Sequence, residues 1–224
     1  MSNFSTDADL VKWEPDVFRL ARIPAQKLIS SSTGVTAAGS AVVTDGSANY
    51  LAAGVQAGHV AHLQRTGVYD VYLPVASVVS ATELTLDAPA GIFVTQDLVT
   101  VEVHTFDAQH EEAHFELCQR FGITGEGEVE FAEDELHEVR VLRRASAFRV
   151  LQMIFRAGAS DAGDLFWQKA QVYGELYGTA LESARVRFDV NGDGTPDAMR
   201  SGHSVRLGVE EEGDNWPVER SSER

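Results

Sequence analysis

The chain has 224 residues, room for one ordinary domain or two small ones, and 44% of them are hydrophobic, which excludes global disorder. Its 34 acidic residues against 18 basic ones give a formal charge of −16, which excludes tight, sequence-reading contact with nucleic acid by the surface as a whole. A passage through which DNA slides without sticking remains compatible with that charge.

The opening MSNFSTDADLVKW has neither the basic segment nor the apolar stretch of a signal peptide. No apolar run approaches the roughly 20 residues of a membrane helix, so a soluble chain made in a cytoplasm is expected. A first helix is predicted over about Asp9 to Leu20, capped by Thr6-Asp7, with Val11, Trp13, Val17 and Leu20 on its apolar side. Pro15 is tolerable only near its first turn, and Pro24 ends the segment.

From Ile29 to His104 the pattern turns to short alternating runs: AVVTD, HVAHL, VYDVYLPVASVV, ELTLD and LVTVEV. Turn residues separate them at Asp45-Gly46, Gly58, Thr66-Gly67, Ala88-Pro89 and Gly91. Such strands predict a small antiparallel barrel or sandwich. Helical periodicity returns in DAQHEEAHFELCQRFG, which opens on Asp107 and closes on Arg120 and Gly122. Cys118, the one cysteine, excludes an intrachain disulfide and sits among apolar helical positions, as a packed residue does.

An acidic loop, GEGEVEFAEDELHE, leads to LRRASAFRVLQMIFRA and, after a Gly/Asp break, FWQKAQVYGELYGTALESARVRF. Leu142, Phe148, Leu151, Ile154 and Phe155 line one helix; Phe166, Ala170, Tyr173, Leu176, Tyr177, Ala180 and Leu181 line the other. DVNGDGTPD follows, then a strand HSVRLGV and a polar tail. The expected class is α+β. A helical domain of about four helices (1–28 and 105–200) is interrupted by a β insert (29–104), and residues 201–224 add a strand and a flexible acidic tail.

The helical segments DADLVKWEPDVFRLA, TFDAQHEEAHFELCQRFG, LRRASAFRVLQMIFRA and FWQKAQVYGELYGTALESARVRFDVNGDG resemble head-to-tail adaptor (connector) proteins of tailed bacteriophages and gene-transfer agents. The β insert, with GVQAGHVAHL and VVSATELTLDAPA, resembles small β modules of phage structural proteins and departs from the smallest adaptors, which are nearly all helix. The resemblance implies a structural virion protein without enzymatic activity. It implies a homo-oligomeric ring of about twelve copies docked on the portal, lining the DNA passage, with tail or stopper and neck proteins as further partners and no membrane. Assembly would take place in the host cytoplasm. Another neck or baseplate component with the same β module is the alternative of the same class.

Three constellations carry chemistry. His110-Glu111-Glu112-Ala113-His114 matches H-E-x-x-H, in which the two histidines could share a zinc with Glu111 as general base, the core of a zinc-dependent hydrolase. The extended form is absent, with Leu117 and Arg120 where glycine and histidine belong, and the bland reading is polar surface in the first turns of an amphipathic helix. Asp189, Asn191, Asp193 and Asp197 space oxygen ligands around Gly194 as a calcium loop does, but Arg200 takes the place of an EF-hand's twelfth-position glutamate. The bland reading there is a tight Asp/Gly turn.

Arg140, Arg143, Arg144, Arg149 and Arg156 load one helix with positive charge, behind a loop carrying Glu126, Glu128, Glu130, Glu133, Asp134, Glu135 and Glu138. These charges are either solvated faces or complementary halves of a subunit interface, with Arg140, Arg143, Arg144, Glu133 and Glu135 at its centre. Trp13 and Trp167 read as core, and Trp216, alone in the tail, as an anchor for a partner's pocket. The sequence holds no P-loop, dinucleotide fingerprint or G-x-S-x-G.

Overall fold

The computed structural model describes residues 3–19, 25–65, 68–89, 92–93, 98–123 and 131–202. It is mixed α+β, with four α-helices and a closed six-stranded antiparallel barrel among those residues. Two compact units divide the chain: Thr6–Ala108, and Met1–Ser5 with Gln109–Arg224. No helix among the described residues is long and apolar enough to cross a membrane.

The barrel unit begins with helix α1 (Asp7–Trp13) and a short 3₁₀ turn, Val17–Arg19. The predicted helix to Leu20 is therefore cut short. Pro15 disfavours helical geometry at the residue before it, and Glu14 is non-helical at φ −141°, ψ 80°. Leu10, Val17 and Phe18 are buried, whereas Trp13 is 45% exposed and is not the core residue its spacing suggests. Residues 1–28 are expected in the helical unit, yet α1 joins the barrel. Ala8 N–H donates to the Gly58 carbonyl at 2.9 Å, and Asp7 accepts from Phe106 N–H at 3.0 Å.

Six strands follow: β1 (Gln26–Thr36), β2 (Val42–Thr44), β3 (Val60–Arg65), β4 (Tyr69–Ser80), β5 (Glu83–Leu86) and β6 (Leu98–Thr105). They close in the order β1-β2-β5-β4-β3-β6, with β6 returning to β1. Closure leaves no open sheet edge. Strand β1 escapes the alternation pattern because QKLISSSTGVT is mostly polar; bulges at Lys27/Ile29 and Ser31/Gly34 bend it around the barrel. A side chain at Gly34 would overlap Val101, so glycine lets β1 approach β6 there. Strand β4 pairs with β3 up to Pro74 and with β5 from Val75. Pro74 has no N–H to offer a ladder, and it stands at this corner.

Period-two alternation fills the interior. Val99, Val101 and Val103 of β6, Ala61 and Leu63 of β3, and Val43, Val75 and Leu84 point inward with Tyr50 and Phe93. The intervening residues of β6, including Glu102 and His104, therefore lie on the outer face.

The helical unit holds most of α2 (Asp107–Phe121), then α3 (Arg140–Gly158) and α4 (Leu165–Ser183). Asp164 caps α4, its carboxylate accepting from Phe166 N–H at 2.8 Å. Leu142, Phe148, Leu151, Ile154 and Phe155 are all buried, each contributing about 2 kcal/mol by removal from water. A Cβ on Gly174 would meet the Gln152 side chain, so glycine brings α4 close to α3. Helix α4 stops at Ser183, short of the predicted end. RVRF is instead strand β7 (Arg185–Phe188), burying Val186 and Phe188 at period two and pairing with β8 (Ala198–Ser201). The predicted strand HSVRLGV and the tail lie outside the described residues.

Candidate functional site

The two histidines of H-E-x-x-H have separate neighbours. His110 is 1% exposed and its Nδ1 lies 2.9 Å from Ser5 Oγ, which in turn is 2.7 Å from Ser146 Oγ. His114 is also buried; its ring packs on Phe4 at 4.3 Å, and its Nε2 lies 3.4 Å from Cys118 Sγ and 3.6 Å from Glu133 Oε2. Glu111 is exposed. No group of three ligand-bearing side chains forms around the pair among the described residues. The surface reading of the histidines is corrected as well: residues 110, 113, 114, 117 and 118 form the buried stripe of α2. Burial pushes the Cys118 thiol up to about 11, with the Glu133 charge adding to it, as befits a packed rather than a reactive cysteine.

The Asp/Gly loop joins β7 to β8 and is closed by its own side chains. Asp189 accepts from Asp193 N–H at 3.1 Å and Gly194 N–H at 2.7 Å; Asn191 accepts from Asp193 N–H at 2.9 Å. Asp193 accepts from Thr195 N–H at 2.7 Å, and Asp197 from Val190 N–H at 3.1 Å. Gly192 and Gly194 take φ +71° and +84°, conformations that side chains resist. Among the described residues these carboxylates form no three-ligand group. Arg200 points away from the loop; it donates to the Phe121 carbonyl at 3.0 Å and so caps the end of α2.

The arginines separate into two kinds. Arg149 forks onto Glu116 and also donates to Gln152 at 2.7 Å, so it is partly buried and tied within the helical unit. Arg140, Arg143 and Arg144 are exposed at the start of α3, with the Arg144 guanidinium 5.3 Å from the Phe148 ring centre. Glu133 and Glu135 lie in a 3₁₀ turn, Glu133–Glu135, partly exposed, and Glu135 accepts from Ala132 N–H at 2.9 Å. Trp216, Glu126, Glu128 and Glu130 lie outside the described residues.

Comparison with protein-family models, with curated proteins and with solved structures finds no match to this chain.

Two clusters that sequence spacing does not reveal appear in the barrel unit. In one, His59 Nδ1 accepts from Gln56 N–H at 3.2 Å, which leaves its proton on Nε2, 3.2 Å from Asp107 Oδ2. Asp7 completes this group. The tautomer makes it a hydrogen-bonded brace at the barrel's end.

The other is on the outer face of β3 and β6. Register pairs His62 with Glu102 and Val60 with His104, so the two histidines flank one carboxylate. Glu102 Oε1 accepts from Lys27 at 2.6 Å and Ser30 at 3.0 Å. Partial burial raises the Glu102 pKa, but those two hydrogen bonds outweigh it and hold the carboxyl at about 2. Sequence alternation in VTVEVHT does place Glu102 and His104 on one face. The β3–β6 register that adds His62 is a long-range fact that spacing along the chain does not carry.

Proposed function

We propose that this chain is a structural virion protein, a head-to-tail adaptor whose copies close into a ring between portal and tail. The observation that carries the reading is the start of α3. Arg140, Arg143 and Arg144 are exposed there, no acid occupies the first turn, and Val139 supplies no capping side chain. A cation in the first turn, as Arg140 is, meets the positive end of the helix dipole unfavourably. An acidic surface on a neighbouring copy would complement this exposed basic stretch.

The same chain offers such a surface. Asp134 and Glu138 are exposed, and Glu133 and Glu135 are partly so. Opposite charges on one chain suit a head-to-tail contact that repeats around a ring. Helix α4 adds an apolar flank, with Leu165 and Val172 more than half exposed and Trp167 and Leu176 half-buried. The net charge of −16 fits a wall past which DNA moves without binding. The partners in this reading are further copies of the chain, the portal, and tail or neck proteins.

Light scattering on the purified chain, alone and mixed with portal, tests the reading. Ring-sized particles, or a mass that rises only with portal, are expected. A chain that stays monomeric and ignores the portal would contradict it.

A further inference from the structure

We propose that His62, Glu102 and His104 form a binding site for a zinc-class transition-metal dication on the outer face of the barrel. Each of the three residues offers one ligand atom within 4.8 Å of the other two, and we assign these as His62 Nδ1, His104 Nε2 and Glu102 Oε2. His62 Nδ1 lies 3.8 Å and His104 Nε2 3.4 Å from Glu102 Oε2. In a tetrahedral zinc site with bonds of 2.0–2.1 Å, ligand atoms stand about 3.3 Å apart, close to the two separations that Glu102 Oε2 makes here.

Three features distinguish this cluster from an ordinary cross-strand ion pair. The first is the tautomer of His62. Its Nε2 lies 2.9 Å from Asp70 Oδ1, and a carboxylate only accepts, so Nε2 carries the proton. The other nitrogen, Nδ1, lies on the Glu102 side, too far from Oε2 for a hydrogen bond, and is the one left for a metal. A carboxylate behind a histidine is the usual outer support of a metal ligand, and here Asp70 holds that position.

The second is His104. Its Nε2 is buried and makes no hydrogen bond of good geometry, which leaves a polar atom that a metal would satisfy. The third is the division of labour at Glu102. Lys27 and Ser30 occupy Oε1, and Oε2 faces the two histidines.

The remaining scaffold is fixed. The His62 ring stacks on Tyr72 at 4.2 Å with an interplanar angle of 2°. Two nitrogens and one oxygen leave a fourth position open to water or to a group from a partner. A bound ion would also pin β3 to β6.

Equilibrium dialysis of the full chain against micromolar zinc, followed by metal analysis, reads the stoichiometry, and cobalt in its place reports coordination through its visible absorption. One zinc per chain is expected, with a cobalt spectrum of low-coordinate type and a melting temperature raised by the metal. His104→Ala and the isosteric Glu102→Gln should each abolish uptake while circular dichroism shows the fold intact. Asp70→Asn should weaken binding roughly ten- to a hundredfold, as loss of a supporting carboxylate does. Glu102→Gln keeps shape and volume, so it decides the matter if the alanine variant does not fold. Absence of zinc uptake by the wild type, or uptake undiminished in folded Glu102→Gln, overturns the proposal. Uptake that survives there but disappears in His114→Ala would assign the metal to α2 instead and equally overturn it.

Discussion

Arg149 holds Glu116 with two parallel bonds, Nη2 to Oε1 at 2.6 Å and Nε to Oε2 at 2.5 Å, tying α3 to α2. Both side chains are mostly covered, at 24% and 30% exposure, so solvent screens the pair only in part. The Arg149 pKa is raised, first by this hydrogen bond to Glu116 and against the effect of burial. Replacing Glu116 by glutamine removes the charge and leaves Arg149 poorly matched. The expected loss is about 1–2 kcal/mol in urea unfolding, with a helical unit that still folds. An unchanged midpoint would show that the pair contributes nothing to stability.

The surface arginines should behave in the opposite way. Arg143 and Arg144 are exposed, so the isolated chain should still fold when both are reversed to glutamate. Assembly should fail. Restoring complementarity with lysines at Asp134 and Glu138 should recover it in part, and high salt should weaken the wild-type ring. A ring formed normally by the reversed protein would leave apolar α4 contacts as the whole interface.

Sequence spacing treats His110 as a surface residue, but it sits at the end of a buried chain of hydroxyls. His110→Ala leaves Ser5 Oγ without that partner and opens a void. The expected cost is about 1–3 kcal/mol in chemical denaturation, well outside the roughly 0.5 kcal/mol typical of surface substitutions. A smaller loss than that surface range would restore the sequence-based view of α2.

Cys118 gives a pH-dependent prediction. Its folded pKa is raised, chiefly by burial, to about 11 from an ordinary 9.0. An acid whose pKa rises on folding keeps its proton in the native state after the unfolded chain has lost it. Stability should therefore fall as pH rises from about 9 to about 11. Alkylation at pH 8 should be slow in native protein and fast once it unfolds. Rapid stoichiometric labelling of the folded chain would contradict the burial of this thiol.

What the sequence discloses and what it hides follow physical lines. Strong periodicity carried the barrel strands β2 to β6 and the helices α2 to α4, because each buries one face against a core. The mostly polar β1 left no such trace, and its place is fixed by pairing with β6 and by Gly34. The β7–β8 hairpin was hidden because RVRF continues the spacing of α4 while its own alternation spans only four residues. The H-E-x-x-H spacing was visible, but Ser5 and Phe4, more than 100 positions away, determine where its histidines point. For the same reason the His62–Glu102–His104 group was invisible: its parts meet only through β-strand register.

The most direct measurement of the adaptor reading is electron microscopy of the chain mixed with purified portal. The expected result is a closed ring of copies stacked coaxially on the portal, with α3 of one copy against the acidic turn Glu133–Glu135 of the next. Portal particles without added density, alongside free monomers of this chain, would contradict it.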